Sequence, residues 1–95
     1  MSRRRYLVSY DISDPKRLRR VASAVEGFGN RIQYSVFECK MGPSDYQRLL
    51  AALKDIINTA HDQVLFINLG DVSNSRVNIE AIGLPYQFRT QVTVV

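Results

Sequence analysis

The feature that most constrains the fold is the order in which the spacing of apolar residues changes along the chain. From residue 5 to residue 12 the side chains alternate between two faces, which predicts a β-strand with Asp11 near its carboxyl end. Asp14 and Pro15 then predict a helix start, because an N-cap acid is followed by proline at the first helical position. Apolar residues recur at helical spacing from there until Gly27, where we expect the helix to end.

The later segments continue this order. Residues 30–41, NRIQYSVFECKM, are rich in β-formers and fit either one long strand or two shorter strands folded about residues 33–35. Residues 42–60 predict a second amphipathic helix, with Ser44 and Gln47 as a capping box. QVLFINLG (63–70) predicts a third solid strand, SRVNIEAIG (75–83) a weaker fourth, and QFRTQVTVV (87–95) is a β-branched terminal run.

This order of elements predicts an α+β fold of the ferredoxin-like βαββαβ type, in a single domain over residues 1–95 with an additional C-terminal strand at about 84–95. Helices on one face of the sheet would leave the other face bare. We expect that bare face to carry a mixture of polar and apolar side chains: Leu7, Ser9 and Asp11, with Arg31, Gln33, Ser35 and Phe37 alongside. Such a face is suited to a subunit interface or a nucleic-acid surface. We therefore predict a homodimer in which the terminal run reaches the partner's sheet edge.

The charge distribution indicates an anionic partner. The chain has 13 basic and 9 acidic residues, and eight basic residues against three acids fall within the first 31 positions. Nucleic acid is the commonest partner of such a basic end, although an exposed charged face kept for solubility is the alternative.

No apolar run approaches the roughly 18 residues of a membrane span, and no signal peptide is recognisable, so we expect a cytoplasmic protein without membrane contact. Cys39 is the single cysteine, which excludes an internal disulfide and predicts a buried thiol.

Four cations occupy the first turns of the predicted first helix: Lys16, Arg17, Arg19 and Arg20. This placement is electrostatically unfavourable, because the amino end of a helix already carries about +0.5 charge. Positive side chains added to that end make an anion site, so we expect phosphate contact. A cluster merely tolerated in solvent is the other interpretation.

Asp11 has two interpretations. It could accept backbone N–H bonds in the turn that follows its strand. Alternatively it could bind a hard cation such as Mg²⁺, which prefers carboxylate oxygen and keeps most of its waters. One aspartate per chain is a poor metal site, whereas two copies meeting across a two-fold axis could hold a metal that activates water against a phosphodiester.

The sequence gives little support for other kinds of active site, since His61 is the single histidine and is expected on the surface, and no phosphate-binding glycine motif occurs. Tyr10 and Phe37 could stack on bases or could belong to the core.

Two motifs together, YDISDPKRLRRVA (10–22) and GNRIQYSVFEC (29–39), resemble the CRISPR-associated Cas2 family across essentially the whole chain. The resemblance implies that RIQYSVFEC (31–39) forms two short strands and that the last strand packs on a partner's sheet. It implies a homodimer in which Asp11 of each chain binds a shared divalent metal, Mg²⁺ or Mn²⁺. It also implies a supporting set of catalytic residues: Tyr10, Arg17, Arg19 or Arg20, Arg31 and Phe37.

The same resemblance implies a function in spacer acquisition beside the CRISPR integrase Cas1. Family members are described as metal-dependent endonucleases of single-stranded RNA or double-stranded DNA. Others serve as a non-catalytic nucleic-acid-binding scaffold of the integration complex, and this sequence is compatible with both. A toxin-type ribonuclease of the VapD kind, with a similar fold, is a third alternative.

Overall fold

The alternating segment at the start of the chain forms a central strand of a four-stranded antiparallel sheet. In the computed structural model, which describes residues 2–86, the chain runs β1 (Arg4–Asp11), α1 (Pro15–Glu26), β2 (Gly29–Gln33), β3 (Val36–Met41), α2 (Pro43–Ile56) and β4 (Gln63–Asp71). A 3₁₀ turn, Val72–Asn74, follows β4. The strand order is β2-β3-β1-β4, and every neighbouring pair is antiparallel. This is the predicted ferredoxin-like α+β fold, with residues 29–41 divided into two strands.

Both helices cover the same face of the sheet. The core between them is formed by inward side chains of β1 and β3 and by one stripe from each helix: Tyr6, Val8, Tyr10, Phe37, Cys39, Met41, Val21, Val25, Leu49 and Leu53. Because successive residues of a strand point to opposite faces, Leu7, Ser9 and Asp11 point away from the helices. Neither helix within residues 2–86 has the length and apolar character needed to cross a bilayer.

The sheet face opposite the helices, called here the open face, carries an apolar stripe along β4. Leu65, Ile67 and Leu69 keep 46%, 45% and 37% of their surface exposed. Leu65 lies opposite Ser9 and Ile67 lies opposite Leu7, so the stripe continues onto the central strand. The prediction that one sheet face mixes apolar and polar groups is therefore confirmed for β1 and extends to β4.

Two positions of the sheet require glycine, Gly29 because of a close approach and Gly70 because of its backbone conformation. Gly29 lies against β3 so closely that a Cβ atom would stand 2.6 Å from Sγ of Cys39, and no larger residue fits without movement of the strand. Gly70 follows the irregularity in the β1–β4 pairing and has φ of 102°, a conformation that L side chains rarely adopt.

The helix starts differ from each other. Asp14 caps α1 as predicted, since its side chain accepts a hydrogen bond from the backbone N–H of Arg17 at 2.9 Å. The predicted capping box of α2 is wrong, because the N-cap is Gly42, two residues before Ser44, and glycine has no side chain to donate or accept; Pro43 occupies the first turn instead.

The predicted strand over residues 75–83 is also wrong. After β4 the described chain makes the 3₁₀ turn and then no further strand up to residue 86. Arg5 holds this exit, since its guanidinium donates to the Val72 and Ser75 carbonyl oxygens at 3.3 and 3.0 Å and pairs with Glu38. Ile82 is fully exposed, so the segment buries no apolar face as a strand would. From residue 87 the predicted C-terminal strand lies outside the described residues.

Candidate functional site

Asp11 lies at the last position of β1, exposed and on the open face. Among residues 2–86 its carboxylate has no hydrogen-bond or ion-pair partner, whereas Asp14 and Asp62, in the turns that precede α1 and β4, both have partners. Asp14 caps α1 and Asp62 accepts bonds from Ser13 and Arg17. The interpretation in which Asp11 accepts turn N–H groups is wrong, because the Ser13 N–H goes to Asp62 instead. Asp11 therefore remains free to bind a cation.

The neighbour of Asp11 across the sheet is Gln63, the first residue of β4. Paired residues of adjacent strands project to the same face, so Gln63 and Asp11 occupy neighbouring positions on the open face. Carboxylate and carboxamide oxygens are both ligands that Mg²⁺ accepts, and Mg²⁺ commonly keeps several waters with only one or two protein carboxylates. The donor set fits such an ion, with Asp11 as the residue that would hold it.

Tyr10 points to the opposite side of the sheet from Asp11. It is 5% exposed, its ring stacks near Phe37 with centroids 6.2 Å apart, and its hydroxyl donates to the Tyr34 carbonyl at 3.2 Å. Burial raises the pKa of the Tyr10 hydroxyl, and the positive charge of Arg31 opposes that rise. Tyr10 is thus a core residue that joins the end of β1 to the β2–β3 turn.

Arg31 and Phe37 lie on the helix-covered side of the sheet, so their predicted place on the open face is wrong. The two residues are paired across β2 and β3, and the Arg31 Cζ stands 5.0 Å from the centroid of the fully buried Phe37 ring. The alternation correctly put Arg31 and Phe37 on one face, but it could not show which of the two sheet faces the helices cover. Within the described chain, the buried Nε of Arg31 has no hydrogen-bond partner.

The four cations of α1 divide into two groups. Arg17 pairs with Asp62 through Nε at 2.7 Å and Nη2 at 3.2 Å, and this hydrogen bonding raises the pKa of the Arg17 guanidinium. Lys16, Arg19 and Arg20 are exposed and line a shallow depression together with Ser23 and Ile56. These three cations have no acidic partner among residues 2–86, so this surface is available to phosphate.

The structure thus places the predicted site residues in three places rather than one. Asp11 lies on the open face, Tyr10, Arg31 and Phe37 lie on the helix-covered side, and the remaining cations lie on the exposed surface of α1. Sequence reasoning missed Asp62 and Gln63, and no motif marks them. Asp62 meets Arg17 across 45 positions of sequence, and only the topology brings them together.

Fold and site together define a small ferredoxin-like α+β protein with a free acid at the end of its central strand and a basic helix beside it. Residues 4–77 match the family described as CRISPR associated protein Cas2. The chain belongs to the CRISPR-associated Cas2 family, which confirms the resemblance seen in its motifs.

Individual relatives agree with this assignment. The CRISPR-associated endoribonuclease Cas2 of Geobacter sulfurreducens is 38% identical over 78 residues, which are 82% of this chain and 82% of that protein. The protein of the same name from Nitratidesulfovibrio vulgaris is 40% identical over 82 residues, covering 81% and 78%. The crystal structure of Streptococcus pyogenes Cas2 at pH 6.5 is 36% identical and matches with a TM-score of 0.72, covering 83% of this chain and 99% of that one.

Proposed function

We propose that this chain is a metal-dependent endonuclease that hydrolyses phosphodiester bonds of RNA or DNA during spacer acquisition, in the cytoplasm and as a homodimer. The observation that carries the proposal is the unpartnered Asp11 carboxylate at the end of the central strand, on an otherwise partly apolar open face. The relatives named as endoribonucleases favour RNA over DNA as the substrate.

The dimer is supported by the apolar stripe of the open face. Leu65, Ile67 and Leu69 expose much of their surface side by side on β4, and a second copy would remove that surface from water. Packing two such faces about a two-fold axis would bring two copies of Asp11 toward one seam, because a two-fold interface uses the same patch on both subunits. Two carboxylates make a more credible site for Mg²⁺ or Mn²⁺ than one.

The chemistry divides between the ion and the chain. A bound divalent ion supplies a nucleophilic water at neutral pH and stabilises charge on the phosphate. Asp11 would hold that ion, and the exposed Lys16, Arg19 and Arg20 would orient the anionic backbone of the substrate. Arg31 and Phe37 would act from beneath the sheet by fixing the β2–β3 turn and the position of Tyr10.

A nuclease assay tests this proposal. Purified protein is incubated with single-stranded RNA and with duplex DNA, in Mg²⁺ or Mn²⁺ and with a chelator. We expect metal-dependent cleavage that Asp11→Asn abolishes, with unchanged thermal unfolding and dimer mass, because the exposed Asp11 carboxylate makes no hydrogen bond or ion pair with the described residues. Cleavage by Asp11→Asn at the wild-type rate would contradict the proposed role.

A second candidate is the non-catalytic scaffold of a spacer-integration complex with the integrase Cas1. One observation favours it: no group of three or more metal-binding side chains occurs among residues 2–86, while the basic surface of α1 is fully formed. Duplex binding without cleavage in any divalent metal, at every pH tested, would support this function over the nuclease.

A further inference from the structure

The carboxylate of Asp62, in the connection between α2 and β4, accepts hydrogen bonds from three separate segments of the chain. Its side chain is fully removed from solvent in the ion pair with Arg17. Oδ1 accepts from the Ser13 backbone N–H at 3.0 Å and from the Ser13 hydroxyl at 3.1 Å. Oδ2 accepts from Arg17 Nε at 2.7 Å and from the Asn58 backbone N–H at 2.9 Å. One side chain therefore ties the β1–α1 turn, the first turn of α1 and the end of α2.

The side chains of Ser13, Arg17 and Asp62 are each hydrogen-bonded to the other two. Arg17 Nη2 donates both to Asp62 Oδ1 and to the Ser13 hydroxyl, each at 3.2 Å. Ser13 is thus held through its backbone and its side chain, and Arg17 is held at two nitrogens. The Arg17 guanidinium lowers the pKa of the Asp62 carboxyl well below its usual range, so the carboxylate stays charged at any pH used for a nuclease assay.

The position of this group relative to Asp11 gives it a consequence for the site. Ser13 follows Asp11 by two residues, and Gln63, which faces Asp11 across the sheet, follows Asp62 directly. The bonds of Asp62 therefore fix both chain segments that flank the Asp11 carboxylate. A catalytic group must be held to within a fraction of an ångström, and supporting hydrogen bonds usually supply that constraint.

We propose that Asp62 and Arg17 act together as positioning residues, which hold the β1–α1 turn so that Asp11 is presented in one orientation at the end of β1. This inference rests on the proposed nuclease function. It gives Arg17 a different role from Arg19 and Arg20: Arg17 acts through Asp62 and Ser13, whereas the other two cations meet the substrate from an exposed surface.

The test compares Asp62→Asn, Arg17→Ala and their combination in the full-length protein, with RNA cleavage and Mn²⁺ affinity as readouts. We expect either single change to lower kcat and Mn²⁺ affinity by about 10- to 100-fold, as loss of an outer support of a metal ligand does. The combination should be no worse than either single variant, since both remove the same contact. KM and the salt dependence of RNA binding should stay at wild-type values. Asp45→Asn is the matched control, since Asp45 pairs with Arg48 on exposed α2 and should leave every readout unchanged.

Ser13→Ala removes one hydroxyl and leaves the ion pair intact, so it decides the question if the charge variants do not fold. A smaller fall in kcat and Mn²⁺ affinity is expected for this variant. Wild-type kcat in a folded Asp62→Asn or Ser13→Ala variant would overturn the inference. So would a raised KM and a reduced salt slope in Arg17→Ala, which would make Arg17 a phosphate contact. If the wild type cleaves nothing, the nuclease proposal fails, and Mn²⁺ affinity still judges the positioning role. A wild-type protein that binds no Mn²⁺ would contradict both the nuclease proposal and the positioning role.

Discussion

Replacing Phe37 separates a packing role from a role in contacting nucleic acid. Phe37 is fully buried, pairs with Val8 on β1 and carries the Arg31 guanidinium over its ring at 5.0 Å. Truncating a buried phenylalanine to alanine typically costs about 3–5 kcal/mol, of which the lost cation–π contact accounts for about 0.5–1 kcal/mol. A domain of this size has only about 5–15 kcal/mol of stability, so Phe37→Ala removes a large part of it.

The expected shift is easily measured. For a domain of up to about 100 residues, 1 kcal/mol corresponds to about 4–8 °C, so Phe37→Ala should melt at least about 12 °C below the wild type. The chain has no tryptophan, so unfolding is followed by far-ultraviolet circular dichroism at one protein concentration, because a dimer's stability depends on concentration. Phe37→Leu keeps an apolar side chain of nearly the same size and should cost less than about 2 kcal/mol.

The Phe37→Leu variant distinguishes the packing role of Phe37 from a contact with RNA. If Phe37 acts only through the core, Phe37→Leu should bind and cleave RNA within a few-fold of the wild type. A Phe37→Leu protein that is as stable as the wild type but has lost RNA binding would refute this reasoning, because it would show that the aromatic ring itself meets a base.

Two further predictions follow from the charged surface and the buried thiol. Arg19→Ala combined with Arg20→Ala should reduce the salt slope of single-strand binding by about 1.4, since each phosphate contact contributes about 0.7, and an unchanged slope in a fluorescence-anisotropy titration would place the binding surface elsewhere. Burial raises the pKa of the Cys39 thiol to about 12 from an ordinary value of 9.0, so the folded state disfavours the thiolate and the stability contributed by the thiol is complete below pH 9 and falls as the pH rises toward 12. Urea midpoints should therefore drop more steeply from pH 8 to 10.5 in the wild type than in Cys39→Ala, and parallel curves would contradict that account.

Much of the fold could be predicted from the sequence because its signals are local. The alternation around Tyr6 and Val8, the Asp14 cap and the apolar stripe through Leu49 and Leu53 each fix an element from within a few turns of chain. Asp11 belongs to the same class, because its place at a strand end follows from that alternation.

The remaining features depend on contacts between distant segments. The alternation through residues 31–37 rightly placed Arg31 and Phe37 on one face, but both were assigned to the wrong side, because the face that the helices cover is decided by long-range packing. The strand predicted after Ser75 failed because Arg5, seventy positions earlier, directs that segment off the sheet. Arg17 was predicted to contact phosphate because it lies among the cations at the start of α1, and only the fold shows that Asp62 binds it.

The central claim is that two copies of Asp11 complete one site, and mixed dimers test it most directly. Wild-type and Asp11→Asn chains are unfolded together in urea, refolded at varied ratios and assayed for metal-dependent RNA cleavage. Random pairing of equal amounts leaves about one quarter of the dimers with both carboxylates, so cleavage should fall to about one quarter and follow the square of the wild-type fraction. A linear decline, with about half of the cleavage left at equal amounts, would show that each Asp11 acts alone and would contradict the claim.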